Sequence, residues 1–186
     1  MNRDSNIYTI VYASVMVILV AFGLAFTSQS LKSYQKKNED IDKMKQILRS
    51  VRVQATAENA ESLYKELIKE SFLVDENGNK AEGDAFSTDV VKAFAGKKPL
   101  PVYVATVDGS TKYILCMQGA GLWGPLWGYL SIDDDKNTVF GSDFSHAGET
   151  PGLGAEIVTP AFSDQFKGKK LFNAEGEFKS IAIVKP

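Results

Sequence analysis

The stretch Val102-Tyr-Val-Ala-Thr-Val-Asp-Gly-Ser-Thr-Lys-Tyr-Ile-Leu-Cys-Met117 holds two short runs rich in β-branched and aromatic residues, one on each side of Asp108-Gly109. Such runs are typical of strands, and an Asp-Gly pair between them is typical of a turn. Further runs of the same kind lie at 126–132, 139–144 and 180–184, with polar, turn-like segments at 133–137 and 174–176. The sequence therefore predicts an α+β fold, in which helices flank an antiparallel sheet.

The N-terminal part of the chain predicts one membrane anchor. Residues 7–26 carry no formal charge, and as a helix they would span about 30 Å, which matches the apolar core of a bilayer. A cleaved signal peptide is the alternative, but this run is longer than the usual ~7–15 residues and no small-x-small cleavage site follows it. We expect a tail at 1–6, a transmembrane helix at 7–26, a stalk or linker helix at 27–56 and a folded domain at 57–186.

The charges around the anchor leave its orientation open. Arg3 precedes the apolar run, whereas the basic residues that follow it are Lys32, Lys36, Lys37, Lys43 and Lys45. Counting positive charges would put the large domain in the cytoplasm, although long domains can translocate largely regardless of charge.

Helical periodicity appears at three further places. In the stalk, apolar residues recur at Ile41, Met44, Ile47, Leu48 and Val51. A second helix, expected to pack on the domain core, carries Ala60, Leu63, Tyr64, Leu67 and Ile68 on one face. A later helix is predicted from Thr159 as its cap, Pro160 at its first position, Phe162 and Phe166 on one face, and Gly168 at its end.

Composition excludes several classes of function. The formal net charge of −2 argues against a nucleic-acid binder, which would usually show a basic face. The chain has one cysteine, Cys116, and one histidine, His146. An internal disulfide and a cysteine-rich or polyhistidine metal site are therefore excluded. We expect Cys116 to be a buried strand residue and His146 to make a structural hydrogen bond.

Two glycine-rich segments are candidates for a ligand site. They are His146-Ala-Gly-Glu-Thr-Pro-Gly-Leu-Gly154 and Gly121-Leu-Trp-Gly-Pro-Leu-Trp-Gly-Tyr-Leu130. Residues 119–124 match G-x-G-x-x-G, but the run behind them predicts a strand where a dinucleotide site needs a helix. A tryptophan face and a leucine on a glycine-framed loop can instead sandwich a planar conjugated ring. The alternative is that the tryptophans are core residues and the glycines form turns, and the residues alone leave both open.

These segments resemble a known family. Gly121-Leu-Trp-Gly-Pro-Leu-Trp-Gly128, Phe144-Ser-His-Ala-Gly-Glu-Thr-Pro-Gly-Leu-Gly-Ala-Glu156 and Gln165-Phe-Lys-Gly-Lys-Lys-Leu171, together with the N-terminal span, are similar to the C subunit of the bacterial sodium-translocating NADH:quinone oxidoreductase. The Glu-Thr-Pro-Gly-Leu-Gly block is also found in the related G subunit of the Rnf electron-transport complex. The resemblance implies an FMN-binding domain at 57–186 and a single-pass protein of the bacterial inner membrane with its domain on the periplasmic side. It also implies electron relay among other membrane subunits of a sodium pump.

One departure from the family concerns the flavin linkage. In the family the FMN phosphate is esterified by a flavin transferase to a threonine in a Ser-Gly-Ala-Thr type motif near the C-terminus, and this sequence lacks that motif. We expect the chain to be incomplete at its C-terminus. Thr150 is a candidate substitute, although its neighbours favour a hydrogen-bonding role. Between Tyr113 and Phe166 the only lysine or arginine is Lys136, which predicts a covalently held flavin rather than a tightly but reversibly bound phosphate.

The expected roles follow residue by residue. Trp123 and Leu153 should contact the isoalloxazine, and Glu149 should organise the loop. Thr150 and the backbone of Gly152 and Gly154 should hydrogen-bond the cofactor. Electron transfer needs no general base, so no catalytic residue is predicted. No metal site is predicted, because the chain has one cysteine and one histidine. A G-type subunit of an Rnf ferredoxin:NAD complex, a non-redox ligand-binding module tethered to the membrane, and a purely structural anchor subunit remain as alternatives.

Overall fold

The computed structural model describes residues 6–181. Its helices in this range are α1 (Asn6–Ser50), α2 (Ala60–Leu67), α3 (Val90–Ala95) and α4 (Pro160–Ser163). Its strands are β1 (Ile68–Val74), β2 (Lys80–Ala81), β3 (Leu100–Val107), β4 (Ser110–Ala120), β5 (Pro125–Ile132) and β6 (Val139–His146). Short 3₁₀ turns at Gly154–Val158 and Asp164–Phe166 flank α4. Most of the predicted tail at 1–6, with Arg3, and residues 182–184 of the predicted last strand lie outside the described range. The two described residues of that run, Ser180 and Ile181, are not in a strand.

All six strands form one antiparallel sheet in the order β2-β1-β3-β4-β5-β6. In the β3–β4 hairpin, Val107 is paired with Ser110. Asp108 and Gly109 between them have φ angles of 50° and 76°. A two-residue hairpin turn with positive φ at both central positions favours an Asp-Gly pair, because its twist matches that of the strands. The predicted α+β fold, with an antiparallel sheet and flanking helices, is confirmed.

Helix α1 runs without interruption from Asn6 to Ser50, and its first part forms a compact unit separate from the rest. Within residues 6–40 the large apolar side chains are exposed, as at Ile10, Phe22 and Phe26. Among the described residues, α1 alone is long and apolar enough to cross a membrane, judged by length and composition. Its exposed apolar surface is the pattern of a lipid-facing helix.

The second compact unit begins at Ile41, so the last turns of α1 belong to it. Ile47, Leu48 and Val51 are completely buried there, as the helical periodicity of the stalk predicts. The Ser131 hydroxyl donates a hydrogen bond to the Ser50 carbonyl at 2.5 Å. Burial and hydrogen bonding together fix the end of α1 on the sheet.

Apolar side chains fill both faces of the sheet. Tyr103 and Tyr129 belong to the cluster beneath the helices, where Tyr64 of α2 packs edge-on against Tyr103 with ring centroids 6.5 Å apart. Leu130, the next residue in β5, belongs to a second cluster that includes Leu171. Neighbouring residues in a strand point to opposite faces, so the C-terminal segment around Leu171 covers the face opposite α1 and α2.

Several details differ from the sequence predictions, which did not include β2 or α3 and placed the end of the stalk helix at residue 56 instead of Ser50. Strand β1 was not predicted, and α2 ends at Leu67, because Ile68 is already extended and begins β1. The later helix is short, with Pro160 at its first position and Thr159 at its N-cap. The Thr159 hydroxyl makes no capping hydrogen bond and donates to the carbonyl of Glu156 at 2.7 Å.

Candidate functional site

The first glycine-rich segment forms the tip of the β4–β5 hairpin. Gly121 N–H donates to the carbonyl of Gly124 at 2.8 Å, which closes a tight turn before Pro125 begins β5. Leu122 and Trp123 occupy the tip, where they are 83% and 69% exposed. This segment therefore presents two large apolar side chains to its surroundings instead of burying them.

The second glycine-rich segment follows β6 and is shaped by a type II turn at residues 150–153. Leu153 N–H donates to the carbonyl of Thr150 at 3.1 Å, and Gly152 has a φ of 74°. A type II turn accepts proline at its second position and needs positive φ at its third, which accounts for the order Thr-Pro-Gly. Leu153, the last residue of the turn, is 72% exposed.

Glu149 joins these two segments. Its side chain is only 8% exposed, and its Oε1 accepts a hydrogen bond from Trp123 N–H at 2.9 Å. A Cβ at Gly154 would lie 2.5 Å from the Glu149 Oε2, and a Cβ at Gly121 would collide with Oε1. The carboxylate therefore occupies space that a side chain at either position would need, and at Gly121 the carbonyl of Gly124 and the Leu126 side chain would also collide with a Cβ.

His146, the last residue of β6, fixes the position of Glu149 from the other side. Its Nδ1 accepts a hydrogen bond from Glu149 N–H at 3.1 Å. This geometry assigns the proton of a neutral ring to Nε2, because Nδ1 has to offer its lone pair. The structural hydrogen bond expected of His146 is present, and its partner is a predicted site residue.

A second contact holds the two segments together. Ala147 N–H donates to the carbonyl of Pro125 at 3.1 Å. A Cβ at Gly124 would lie 3.0 Å from the Cβ of Ala147. The hairpin tip and the loop after β6 are thus joined both by backbone and through the Glu149 carboxylate.

An apolar cavity lies beside this junction, on the face of the sheet that the C-terminal segment covers. Its volume is about 300 Å³, and its lining is Met117, Gln118, Gly119, Leu126, Trp127, Phe144, Ile157, Phe162 and Phe166. The rings of Phe144, Phe162 and Phe166 pack together with centroids 5.1–5.4 Å apart. The Nε1–H of Trp127 donates to Gln46 Oε1 of α1 at 3.1 Å.

The predicted site residues fall into two groups. Trp123, Thr150, Gly152 and Leu153 are exposed, whereas Glu149 is buried and Gly154 is half-buried. Gly152 N–H already donates to Glu156 Oε1 at 3.1 Å. The wall of the cavity formed by Ile157, Phe162 and Phe166 was not predicted, and the apolar spacing of the short helix was its only signal in the sequence.

Negative charge dominates the polar groups of the junction. Glu149 and Glu156 both contribute carboxylates to it, through Trp123 N–H and Gly152 N–H. Among residues 6–181, no lysine or arginine forms an ion pair with either carboxylate. The carboxylates are held by backbone N–H groups instead, as at a capping site.

Comparison with known proteins places this junction within a described family. The sequence profile of the FMN-binding domain matches residues 121–182. The C subunit of the Na(+)-translocating NADH-quinone reductase of Pasteurella multocida is 32% identical over 95% of this chain and 76% of its own length. The corresponding protein of Vibrio alginolyticus is 28% identical over 99% of this chain and 79% of its own.

A crystal structure of the C subunit of Na(+)-translocating NADH-quinone reductase from Parabacteroides distasonis superposes with a TM-score of 0.80. It is 65% identical, and the match covers 84% of this chain and 77% of that one. The sequence matches extend over nearly the whole chain, and so include α1 as well as the glycine-rich junction. The chain therefore belongs to the family formed by the C subunits of Na(+)-translocating NADH-quinone reductases.

Proposed function

We propose that this chain is the membrane-anchored FMN subunit of a sodium-pumping NADH:quinone oxidoreductase, and that it relays electrons between other subunits. The observation that carries this proposal is Glu149, which joins two glycine-rich segments inside the region that matches the FMN-binding domain. Bound FMN would supply one- and two-electron transfer, which the side chains of this protein cannot perform. We assign the flavin to the surface of the junction.

The residues present at the junction fit a flavin. Trp123 and Leu153 are large, apolar and exposed. Each can therefore contact an aromatic ring of a ligand without a rearrangement of the protein core. The Thr150 hydroxyl makes no hydrogen bond within the described part of the chain and is exposed. It is therefore available to a polar edge of the cofactor.

Each proposed residue has a separate role. Trp123 and Leu153 hold the isoalloxazine, Thr150 and the Gly154 backbone hydrogen-bond it, and Glu149 keeps the segments in register. Gly152 N–H can reach the cofactor only by exchanging its present partner, Glu156. None of these residues has to move a proton, because electron transfer needs no general base.

The charge of the junction supports covalent attachment. A free FMN phosphate carries nearly two negative charges and favours arginine, lysine or a helix N-terminus. The junction offers the carboxylates of Glu149 and Glu156. Among residues 6–181, no lysine or arginine forms an ion pair with either of them. An ester would lower the phosphate charge and would prevent dissociation, and we propose that a flavin transferase forms it.

The proposed location is the bacterial inner membrane, with α1 as the single span and the lipid bilayer as its partner. We infer that the domain is periplasmic. The resemblance of the chain to its family supports this sidedness, and long domains can translocate against a lysine count such as that of residues 32–45.

The flavin assignment is tested with the full product of the gene, expressed in its native host together with its flavin transferase and purified in detergent. The wild-type protein should absorb at flavin wavelengths and should give a fluorescent band under ultraviolet light on a denaturing gel. Trp123→Ala and Leu153→Ala should each change the flavin fluorescence or midpoint potential. Phe178→Ala, which removes another exposed aromatic ring, is the matched control and should change neither.

Different results would separate the alternatives. A purified wild-type chain without flavin absorbance would refute the proposed function in favour of a non-redox binding module. Flavin that remains through dialysis but leaves on denaturation would refute covalent attachment alone. Unchanged turnover of the intact complex after both substitutions would indicate a purely structural subunit.

A further inference from the structure

His146 lies next to the proposed flavin surface, yet no role in flavin binding follows from its chemistry alone. Its Nδ1 is already occupied by the hydrogen bond from Glu149 N–H at 3.1 Å. Since Nδ1 serves as an acceptor, the ring can act on the loop without contacting a ligand.

The hydrogen bond is the first step of a chain of contacts. His146 holds the backbone of Glu149, and the carboxylate of Glu149 holds Trp123 N–H at 2.9 Å. The same carboxylate fills the space left open at Gly154, next to Leu153. A change at His146 therefore reaches the backbone of both residues that we assign to the isoalloxazine.

His146, where this chain of contacts begins, is held in place by the sheet. His146 is the last residue of β6 and is paired with Leu126 of β5 in the sheet. A methyl carbon of Leu126 would lie 2.9 Å from a Cβ at Gly121, so the pair abuts the hairpin tip that carries Trp123. The position of the exposed loop is therefore fixed by contacts with the sheet as well as by its own turns.

We propose that His146 is a positioning residue for the flavin, which it orients through Glu149 by accepting the Glu149 N–H hydrogen bond at Nδ1. This inference rests on the proposed function. It assigns to the histidine a task that any acceptor at the same distance from the backbone could perform. An acceptor bonded to Cγ that receives the N–H three residues later is the geometry of an asparagine cap.

The experiment compares His146→Asn with His146→Leu in the full-length protein. The two new side chains have nearly the same shape, but asparagine places its Oδ1 where Nδ1 lies and leucine offers no acceptor. Hydrogen exchange of the Trp123 amide should become roughly fivefold to tenfold faster in His146→Leu, the change expected from loss of one ordinary hydrogen bond. In His146→Asn it should stay close to that of the wild type.

The flavin supplies the second measurement. His146→Leu should shift the flavin midpoint potential and change its fluorescence lifetime, whereas His146→Asn should restore both. Exchange of the β3–β4 amides reports whether the leucine variant keeps its fold. Unchanged β3–β4 exchange together with fast Trp123 exchange would support the inference.

Two results would overturn the inference while leaving the proposed function intact. One is a flavin-containing leucine variant that matches the wild type in Trp123 exchange and in potential. The other is an asparagine variant that behaves as the leucine variant does, since the acceptor would then be irrelevant. A wild-type chain without flavin would instead refute both proposals.

Discussion

Arg49 binds Asp143 through two hydrogen bonds, from Nε to Oδ1 at 2.7 Å and from Nη2 to Oδ2 at 3.0 Å. Arg49 lies in the last turn of α1, and Asp143 is a buried residue of β6. Two parallel hydrogen bonds fix both the distance and the plane of the pair. The pair therefore orients the end of α1 against the strand that leads to His146.

Replacement of Arg49 should destabilise the second compact unit. In Arg49→Leu the carboxylate of Asp143 loses its partner while remaining buried, and we expect a cost of about 2 kcal/mol in the free energy of unfolding. Denaturant unfolding of the detergent-solubilised chain, followed by near-ultraviolet circular dichroism, measures it. Lys65→Leu breaks an exposed pair with Glu61 and should cost at most about 0.5 kcal/mol.

The cost of Arg49→Leu should depend on pH. Burial raises the pKa of the Asp143 carboxyl above its ordinary value, and Arg49 opposes that rise. Because the folded state binds this proton more tightly, the group contributes stability that is fully present below its unfolded pKa and is lost as pH rises through its folded pKa.

Removing Arg49 raises the pKa of Asp143 further. The loss of Arg49 should therefore cost less unfolding free energy when Asp143 is protonated than when it is ionised. The destabilisation should therefore be smaller at about pH 4 than at about pH 7. An equal cost at both values would show that Asp143 does not titrate in this range. Asp143→Asn should itself remove the pH dependence contributed by this group.

Substitution of the two tryptophans should affect the free energy of unfolding to different extents. Trp127 donates to Gln46 of α1 at 3.1 Å, so Trp127→Phe should cost about 1 kcal/mol. A double-mutant cycle with Gln46→Leu should return a coupling energy of similar size. Trp123→Phe alters an exposed residue and should leave the free energy of unfolding within about 0.5 kcal/mol.

Local patterns in the sequence are sufficient to predict most strands of the sheet and the turns between them. The β3–β4 hairpin follows from two strand-like runs and Asp108-Gly109, and the turn at residues 150–153 follows from Thr-Pro-Gly. Strand β1 could not be predicted in this way. Among its residues only Leu73 is buried, so its strand conformation depends on pairing with β3 and not on its own alternation.

The junction of the site could be predicted only in part. Glycine and tryptophan marked its two segments, but the contact of Glu149 with Trp123 joins residues 26 positions apart. Nothing local in the sequence indicates which residue a buried carboxylate will reach. The reason for glycine at position 154 is likewise visible only when the carboxylate is placed beside it.

The sidedness of the membrane anchor can be tested with the cysteine chemistry of this chain. Burial raises the pKa of the Cys116 thiol to about 12, so little of it is the reactive thiolate at neutral pH. Ser110→Cys adds a thiol at an exposed position of the β3–β4 hairpin. A membrane-impermeant maleimide should label this variant in cells with an intact inner membrane and should leave the wild type unlabelled.

Labelling that requires lysis of the inner membrane would place the domain in the cytoplasm, as the lysine count predicts. Labelling of the wild type under the same conditions would show that Cys116 is accessible, and the comparison would then have to be made in Cys116→Ser. The expected outcome is labelling of the Ser110→Cys variant alone.

The space at Gly154 should be required for flavin binding, whereas the space at Gly148 should not. In Gly154→Ala the new Cβ would lie 2.5 Å from Glu149 Oε2, so the carboxylate must move and its hydrogen bond with Trp123 N–H should weaken. We expect a cost of about 1–3 kcal/mol in unfolding free energy, the range for overpacked positions. We also expect a lower flavin content for each mole of purified chain.

Gly148→Ala is the matched control, because it lies in the same loop and its Cβ would meet nothing within 4 Å. It should retain the flavin content and the Trp123 amide exchange of the wild type. Equal flavin loss in both variants would mean that the loop needs backbone freedom at every glycine. Equal retention would mean that Glu149 can leave its site at little cost, so that its carboxylate does not hold the two segments together.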